Sequence, residues 1–445
     1  MREMKDSGIE WVGIIPKSWN ISRLKYIAKF FNGDRGKNYP SGEDLVDDGL
    51  AFLTSNNIHG IVLDCSQEKS KFITEERYNR LGGAKIQLND IAFCLRGSVG
   101  NCAINKTLTK GTVASSLMII RPIKASPDFI NYVLQTDVCD VQTIKAMNGS
   151  CAANLSAENV SNYYFVEPPI VEQKKITIFL DSKCSEIDAI SADIQKEIKT
   201  LEQYKRSVIT EAVTKGLNPD AEMKDSGNLR IGVTPAHWNV HKIKPYIASF
   251  SSGLSAVTSD NSGIESGKFV LRTSAVSTGV FKSEEVKSVL ESAVDRLVCP
   301  VEPDTLVMSR MNTAEMVGYC AYINKPYPDY YLPDKLWKIR MQPSLNTKYA
   351  WFVINSSVSH AWFASVATGA SLSMLNISRT DFENLVIPVP PREEQDFIAD
   401  FLDRKCSMTN DIILDKKHQL EVLDLYKKSL IYEYITGKKE VPAQN

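Results

Sequence analysis

At 445 residues the chain is long enough for about three folding units of roughly 150 residues, or for two with something joining them, and a single compact core is not expected. A composition of 43% hydrophobic and 24% charged residues excludes general disorder. With 52 basic against 53 acidic residues the formal charge is -1, which excludes a global positive field toward nucleic acid or anionic membrane, so any such binding must be local.

In chain order, MKDSG at 4–8 leads to Gly13, Pro16, Trp19, Asn20 and Lys25, and every one of these recurs 219 residues later: MKDSG at 223–227, then Gly232, Pro235, Trp238, Asn239 and Lys244. Trp19 and Trp238, each three residues after a proline, read as hydrophobic anchors. The segments that follow read as mixed α/β. Short apolar runs bounded by Gly, Asn and Asp predict strands at 50–54, 60–63, 91–95 and 117–120, and a helical pattern spans 128–147. Pro168-Pro169 forbids helix before it, and Glu172 to Thr214 is free of Pro and Gly, which predicts a long helix. Ile187, Ile194, Leu201 and Val208 at sevens form a coiled-coil seam, with Ile190, Ile198 and Tyr204 beside it. The second copy predicts strands at 268–272, 305–308 and 318–323 and a helical pattern over 347–367. Pro168, Pro169, Glu172, Gln173, Leu180 and Cys184 then recur 222 residues later as Pro390, Pro391, Glu394, Gln395, Leu402 and Cys406. They open a second long helix, Glu393 to Thr436, whose seam holds Ile413 with Leu420 and Leu423 with Leu430. The linear division expected is a globular domain at 1–168, a helix at 169–216, a second domain at 217–390, a second helix at 391–440 and a tail at 441–445. Covering both apolar stripes pairs the helices antiparallel, around a pseudo-twofold.

Between the matched blocks, roughly 30–145 and 250–365, the copies diverge, as expected of a module that keeps its frame and varies what it reads. No phosphate-cradling glycine loop, dinucleotide fingerprint or His-Glu-x-x-His is present, and the nine cysteines hold no Cys-x-x-Cys pair, so no catalytic or metal site is expected. Those cysteines suit a reducing cytoplasm, and the charged opening segment and the lack of an 18-residue apolar run speak against export or a membrane span. Pro219-Asp220 before Glu222 and Lys224 is too closely spaced for a nuclease site. The candidates for DNA contact are polar clusters in the divergent segments: Arg35, Lys37 and Asn38; Ser55, Asn56 and Asn57; Arg96, Ser98 and Asn101; Arg272, Thr273 and Ser274; Arg310, Asn312 and Thr313. Arg offers a fork to guanine and Asn can pair with adenine, although turn chemistry alone also places Asn, Ser and Gly at such points. Occurrence after a strand in both halves favours Arg96 and Arg310.

The pattern of MKDSG, Gly, Pro and Trp-Asn, a variable region, then Pro-Pro-x-x-Glu-Gln-x-x-Ile-x-x-Phe-Leu-Asp and a long helix, all of it twice, resembles the specificity subunit of type I restriction-modification systems over essentially the whole chain. GDRGKNYP at 33–40 and SRMNTAEMVGYCA at 309–321 resemble stretches of that family's target recognition domains. The resemblance implies two such domains reading the parts of a split, asymmetric sequence in double-stranded DNA, with an antiparallel coiled coil fixing the gap. It implies no enzymatic activity in the chain. Two modification subunits would carry S-adenosylmethionine, and restriction subunits would use ATP and Mg. Two rival readings are a fused modification-restriction enzyme, whose nucleotide or S-adenosylmethionine site is not found in the sequence, and a coiled-coil scaffold that binds protein alone.

Overall fold

The computed structural model describes residues 2–36, 39–147, 155–255, 265–313, 316–371 and 374–442. Contacts divide the chain into two units, residues 1–194 with 418–445, and residues 195–417. This differs from the linear division expected, because the end of each long helix packs into a core that the sequence order does not reveal. Leu430, Ile431, Tyr434 and Ile435 join the first unit's core, and Ala212 and Val213 join the second's.

In the first unit the main sheet is antiparallel throughout, in the order Ala28–Asn32, Leu117–Pro122, Ile91–Cys94, Cys102–Ile104. Ile91–Cys94 is buried along its whole length, which is why its sequence is a continuous apolar run without alternation. A second sheet orders Gly111–Val113, Leu50–Leu53, Lys71–Ile73 and Leu45–Val46, its first pair parallel. The expected strand at 60–63 is absent. Ile61 and Leu63 bond the Ile104 backbone, but only Val62 forms a bridge, too short a pairing to make a ladder. The helical pattern at 128–147 divides into Pro127–Leu134 and Asp137–Met147. Thr136 turns back to Val133 O through both its N–H and its hydroxyl, while its carbonyl accepts from Cys139 and Asp140 to start the next helix.

The second unit repeats this frame. Its main sheet runs Ile247–Ser252, Leu336–Met341, Thr305–Ser309, Cys320–Ile323, again antiparallel. The expected helix at 347–367 is likewise two, Thr347–Ile354 and Ser357–Val366, broken where Ser356 caps the second by accepting from Ser359 N. A sheet of Val286–Leu290, Glu265–Leu271 and Tyr330–Tyr331 corresponds to the first unit's second sheet. A further small sheet joins Met311–Asn312, Met374–Asn376 and Thr368–Ser371.

The duplicated motifs acquire physical roles. Trp19 and Trp238 are fully buried, and their indole N–H groups donate to Glu172 at 2.7 Å and to Glu394 at 3.0 Å. A buried indole donor needs such an acceptor. Gln173 accepts from Ser126 N at 2.8 Å and donates to Pro168 O, and Gln395 accepts from Asn346 N at 2.8 Å and donates to Pro390 O. Ser126 and Asn346 are the N-caps of Pro127–Leu134 and Thr347–Ile354. The Glu-Gln pair of each Pro-Pro-x-x-Glu-Gln motif therefore fastens the root tryptophan and the entry to the helical layer onto one helix turn.

The long helices are Ile170–Lys215 and Arg392–Ile435. In the first unit Lys427 meets Asp188 at 2.6 Å and Phe179 packs on Tyr434. In the second, Lys416 meets Glu197 at 2.5 Å and Lys205 donates to Asn410 at 2.8 Å. Ile187, Ile194, Ile413 and Leu430 are buried, and Leu201, Val208, Leu420 and Leu423 half-buried. Ile190 and Tyr204 are half exposed, at 50% and 52%, and so lie off the apolar stripe. No described helix is long and apolar enough to cross a membrane.

Candidate nucleic-acid interface

The residues proposed for DNA contact divide sharply once placed. Lys37 and Asn38 lie outside the described residues. Arg35 is exposed, next to Asp34, whose carboxylate accepts from Gly82 N at 3.2 Å and Gly83 N at 2.6 Å and so ties two loops together. Asn57 is fully buried and corrects the sequence expectation. Its Oδ1 accepts from Thr54 N, closing a capping box, and its Nδ2 donates to Asp64 O and Ser70 Oγ, which leaves nothing to offer a base. Of its neighbours, Asn56 is exposed and Ser55 half-buried. Arg96 is half-buried, and Ser98 and Asn101 are exposed on the turn that leaves Ile91–Cys94.

In the second unit Arg272 is exposed, Thr273 is half-buried, and Ser274 donates to Glu285 at 2.7 Å, so its hydroxyl proton is committed. Asn312 accepts from Thr313 N and donates to Met316 O, so it too is spent on a turn, and Thr313 is exposed. Arg310 is half-buried, and its Nε is buried with no hydrogen-bond partner among the described residues.

Backbone register corrects the pairing of Arg96 with Arg310. Cys94 pairs with Leu117 as Ser309 pairs with Leu336. One residue on, Leu95 O accepts from Leu155 N at 3.1 Å, and Arg310 O accepts from Ile377 N at 3.0 Å. Arg310 is therefore the counterpart of Leu95, and Arg96 that of Met311. Counting from the apolar runs misplaces them by one position, and because strand side chains alternate in direction, one position is a change of face.

Both units open a cleft at this point. The first is lined by Leu95 with Asn32, Asp34, Arg35, Ser156 and Ala157, the second by Arg310 with Trp337, Asn376, Ser378 and Arg379. Ser156 and Ser378 correspond, each closing a capping box on a short helix, with Asn159 and Asp381. Trp337, Asn376, Ser378 and Arg379 went unnoticed in the sequence; Asn376 and Ser378 alone carry a signal there, the repeat of Asn-x-Ser at 154–156 and 376–378. Toward the other end of these strands, charge is paired. Arg121 meets Asp90 through two bonds of 2.8 Å, and Glu302 meets Lys338 at 3.0 Å and also Arg340. Lys338, then Arg340, hold the Glu302 carboxyl below the usual carboxylate range. Among the described residues no group of His, Cys, Asp and Glu is placed to hold a metal, and the described cysteines are free thiols.

Comparison with known proteins adds a family to this geometry. The type I restriction modification DNA specificity domain matches residues 16–200 and 266–422. The chain is 22% identical over 395 residues to the type I restriction enzyme EcoKI specificity subunit of Escherichia coli K12, covering 86% of this chain and 81% of that one. It is 22% identical over 444 residues to the type I restriction enzyme MjaVIII specificity subunit of Methanocaldococcus jannaschii, covering 97% of this chain and 95% of its relative. A chain solved in work on complex assembly and conformational transition of the type I R-M system shares the fold, with a TM-score of 0.68 at 15% identity, covering 96% of this chain and 99% of that one.

Proposed function

Since the chain belongs to the type I restriction-modification DNA specificity family, whose members recognise DNA sequence, we propose that it reads a split, asymmetric target, one part with each unit. The observation that carries this reading is the frame itself: the same sheet, helix pair and motif anchors occur twice, register for register, and differ where the strands end. The chain does no chemistry of its own. Two modification subunits with S-adenosylmethionine act on the bound DNA, and restriction subunits use ATP and Mg, all in the cytoplasm. The near-neutral charge fits this division, since partners can supply phosphate contacts while this chain supplies base contacts.

The long helices pair antiparallel as a coiled coil and set the gap between the two parts of the target. Contacts within each unit support this: Asp188 with Lys427 and Phe179 with Tyr434 in one, Glu197 with Lys416 and Lys205 with Asn410 in the other, partner numbers falling as the first helix rises. The test is exchange of residues 20–165 for the matching segment of another family member, followed by mapping of methylated sites. One component of the target is expected to change, and a change in both overturns one-unit, one-part reading. Four residues inserted near Thr200 add about 6 Å of helix while keeping the apolar stripe nearly in phase, and are expected to lengthen the gap by one or two base pairs with both parts intact.

A further inference from the structure

The clefts at Leu95 and Arg310 are one place in two copies of a frame, and in the second unit that place holds an unsatisfied donor. Leu95 is 1% exposed and finishes the first unit's core. Arg310 replaces it with a guanidinium whose Nε is shut off from water and bonded to nothing among the described residues. Its backbone is fixed on both sides, by its N–H to Lys335 O and by Ile377 N to its carbonyl. The cleft measures about 630 Å³. Its other cation, Arg379, is already engaged, donating to Glu383 at 2.6 Å and lying over the Phe250 ring. Met311, Trp337 and Ile377 supply flat or apolar wall and Asn376 a polar group, while the Ser378 hydroxyl is already bonded to Asp381.

We propose that this cleft receives a base edge of the second unit's part of the target, and that the Arg310 guanidinium selects guanine there. The assignment rests on the DNA-recognition reading above. A donor held buried without a partner is unfavourable, and an acceptor that reaches the guanidinium as the cleft opens around Nε offsets that cost. Guanine presents two adjacent acceptors, O6 and N7, that match the arginine fork. A phosphate would need no apolar wall and no buried Nε. In the first unit Leu95 cannot donate at all, so the two units read by different chemistry from the same position.

The test uses the full chain assembled with the modification subunits of its system, with methylated sites mapped for wild type, Arg310→Leu and Arg310→Gln. Leucine is the residue the first unit tolerates at this place, so that variant is expected to fold. Wild type is expected to require G·C at one position of the second component. Arg310→Leu is expected to relax that position by about 10- to 100-fold in discrimination, with the other component and the gap unchanged. Arg310→Gln, which keeps a polar group and so covers failure of the leucine variant to fold, is expected to shift the preference toward adenine. An unchanged target in either folded variant, or an equal loss on every sequence as for a phosphate contact, overturns the assignment. A wild-type complex that methylates no two-part target overturns instead the reading on which the assignment rests.

Discussion

The two units share a main sheet, a helix pair and a motif-built root, yet corresponding positions hold Leu95 and Arg310, Asp140 and His360, Thr143 and Phe363. The lesson is where duplication can be spent. Positions that close the frame, such as Trp19 with Glu172 and Trp238 with Glu394, keep both residue and bond. Positions at strand exits and on the helix layer keep only the backbone, and there the side chains have been free to change character.

The root is where breaking the comparison costs most. Trp19→Ala and Trp238→Ala each remove a fully buried ring and are expected to destabilise their own unit by about 3–5 kcal/mol, with the other unit's protection in hydrogen exchange unaltered. Equal loss in both units from either variant would mean that they unfold as one.

Acid sharpens the comparison next. His360 packs 3.9 Å from the Tyr319 ring, and its burial lowers its pKa from 6.5 to about 4. The unfolded chain takes up a proton near 6.5 and the folded unit only near 4, so stability present above that window is lost as pH falls through it, by up to about 3 kcal/mol. At the corresponding position, partial desolvation and then the neighbouring Asp137 raise the Asp140 pKa, so its contribution grows on acidification and is lost as pH rises. The acid sensitivity of the second unit is expected to flatten in His360→Gln, read from urea midpoints between pH 7 and pH 4.

A smaller effect separates the matched glycines. Gly100 and Gly318 share a left-handed backbone, with φ of 92° and 93°. A Cβ at Gly318 would fall 2.2 Å from the Phe363 ring, whereas one at Gly100 meets only Thr143 at 3.7 Å. Alanine at either is expected to cost about 1–2 kcal/mol for the backbone, and Gly318→Ala about 1–3 kcal/mol more for the clash, measured as a difference in thermal or urea stability. The least effect is expected at the helix ion pairs: Lys427→Ala should cost no more than about 1 kcal/mol, because its Asp188 partner is largely exposed and screened by salt. A larger loss would show that the pair is shielded from water.

Much of this was legible in the chain alone. The duplication, the two long helices, the buried tryptophans and the apolar strands follow from spacing, and spacing follows from local geometry: residues seven apart share a helix face, and Pro-Pro disfavours helix before it. The family was legible too, through motifs preserved twice. Tertiary structure alone decided the rest. That Asn57 is spent on Thr54, Asp64 and Ser70, that Arg310 stands opposite Leu95 rather than Arg96, and that residues 418–445 complete the first unit all depend on partners distant in sequence. A side chain's freedom to meet DNA is what remains after such partners are satisfied. Composition and period carry no record of that remainder, because it is fixed by strand register and by which helix end closes which core.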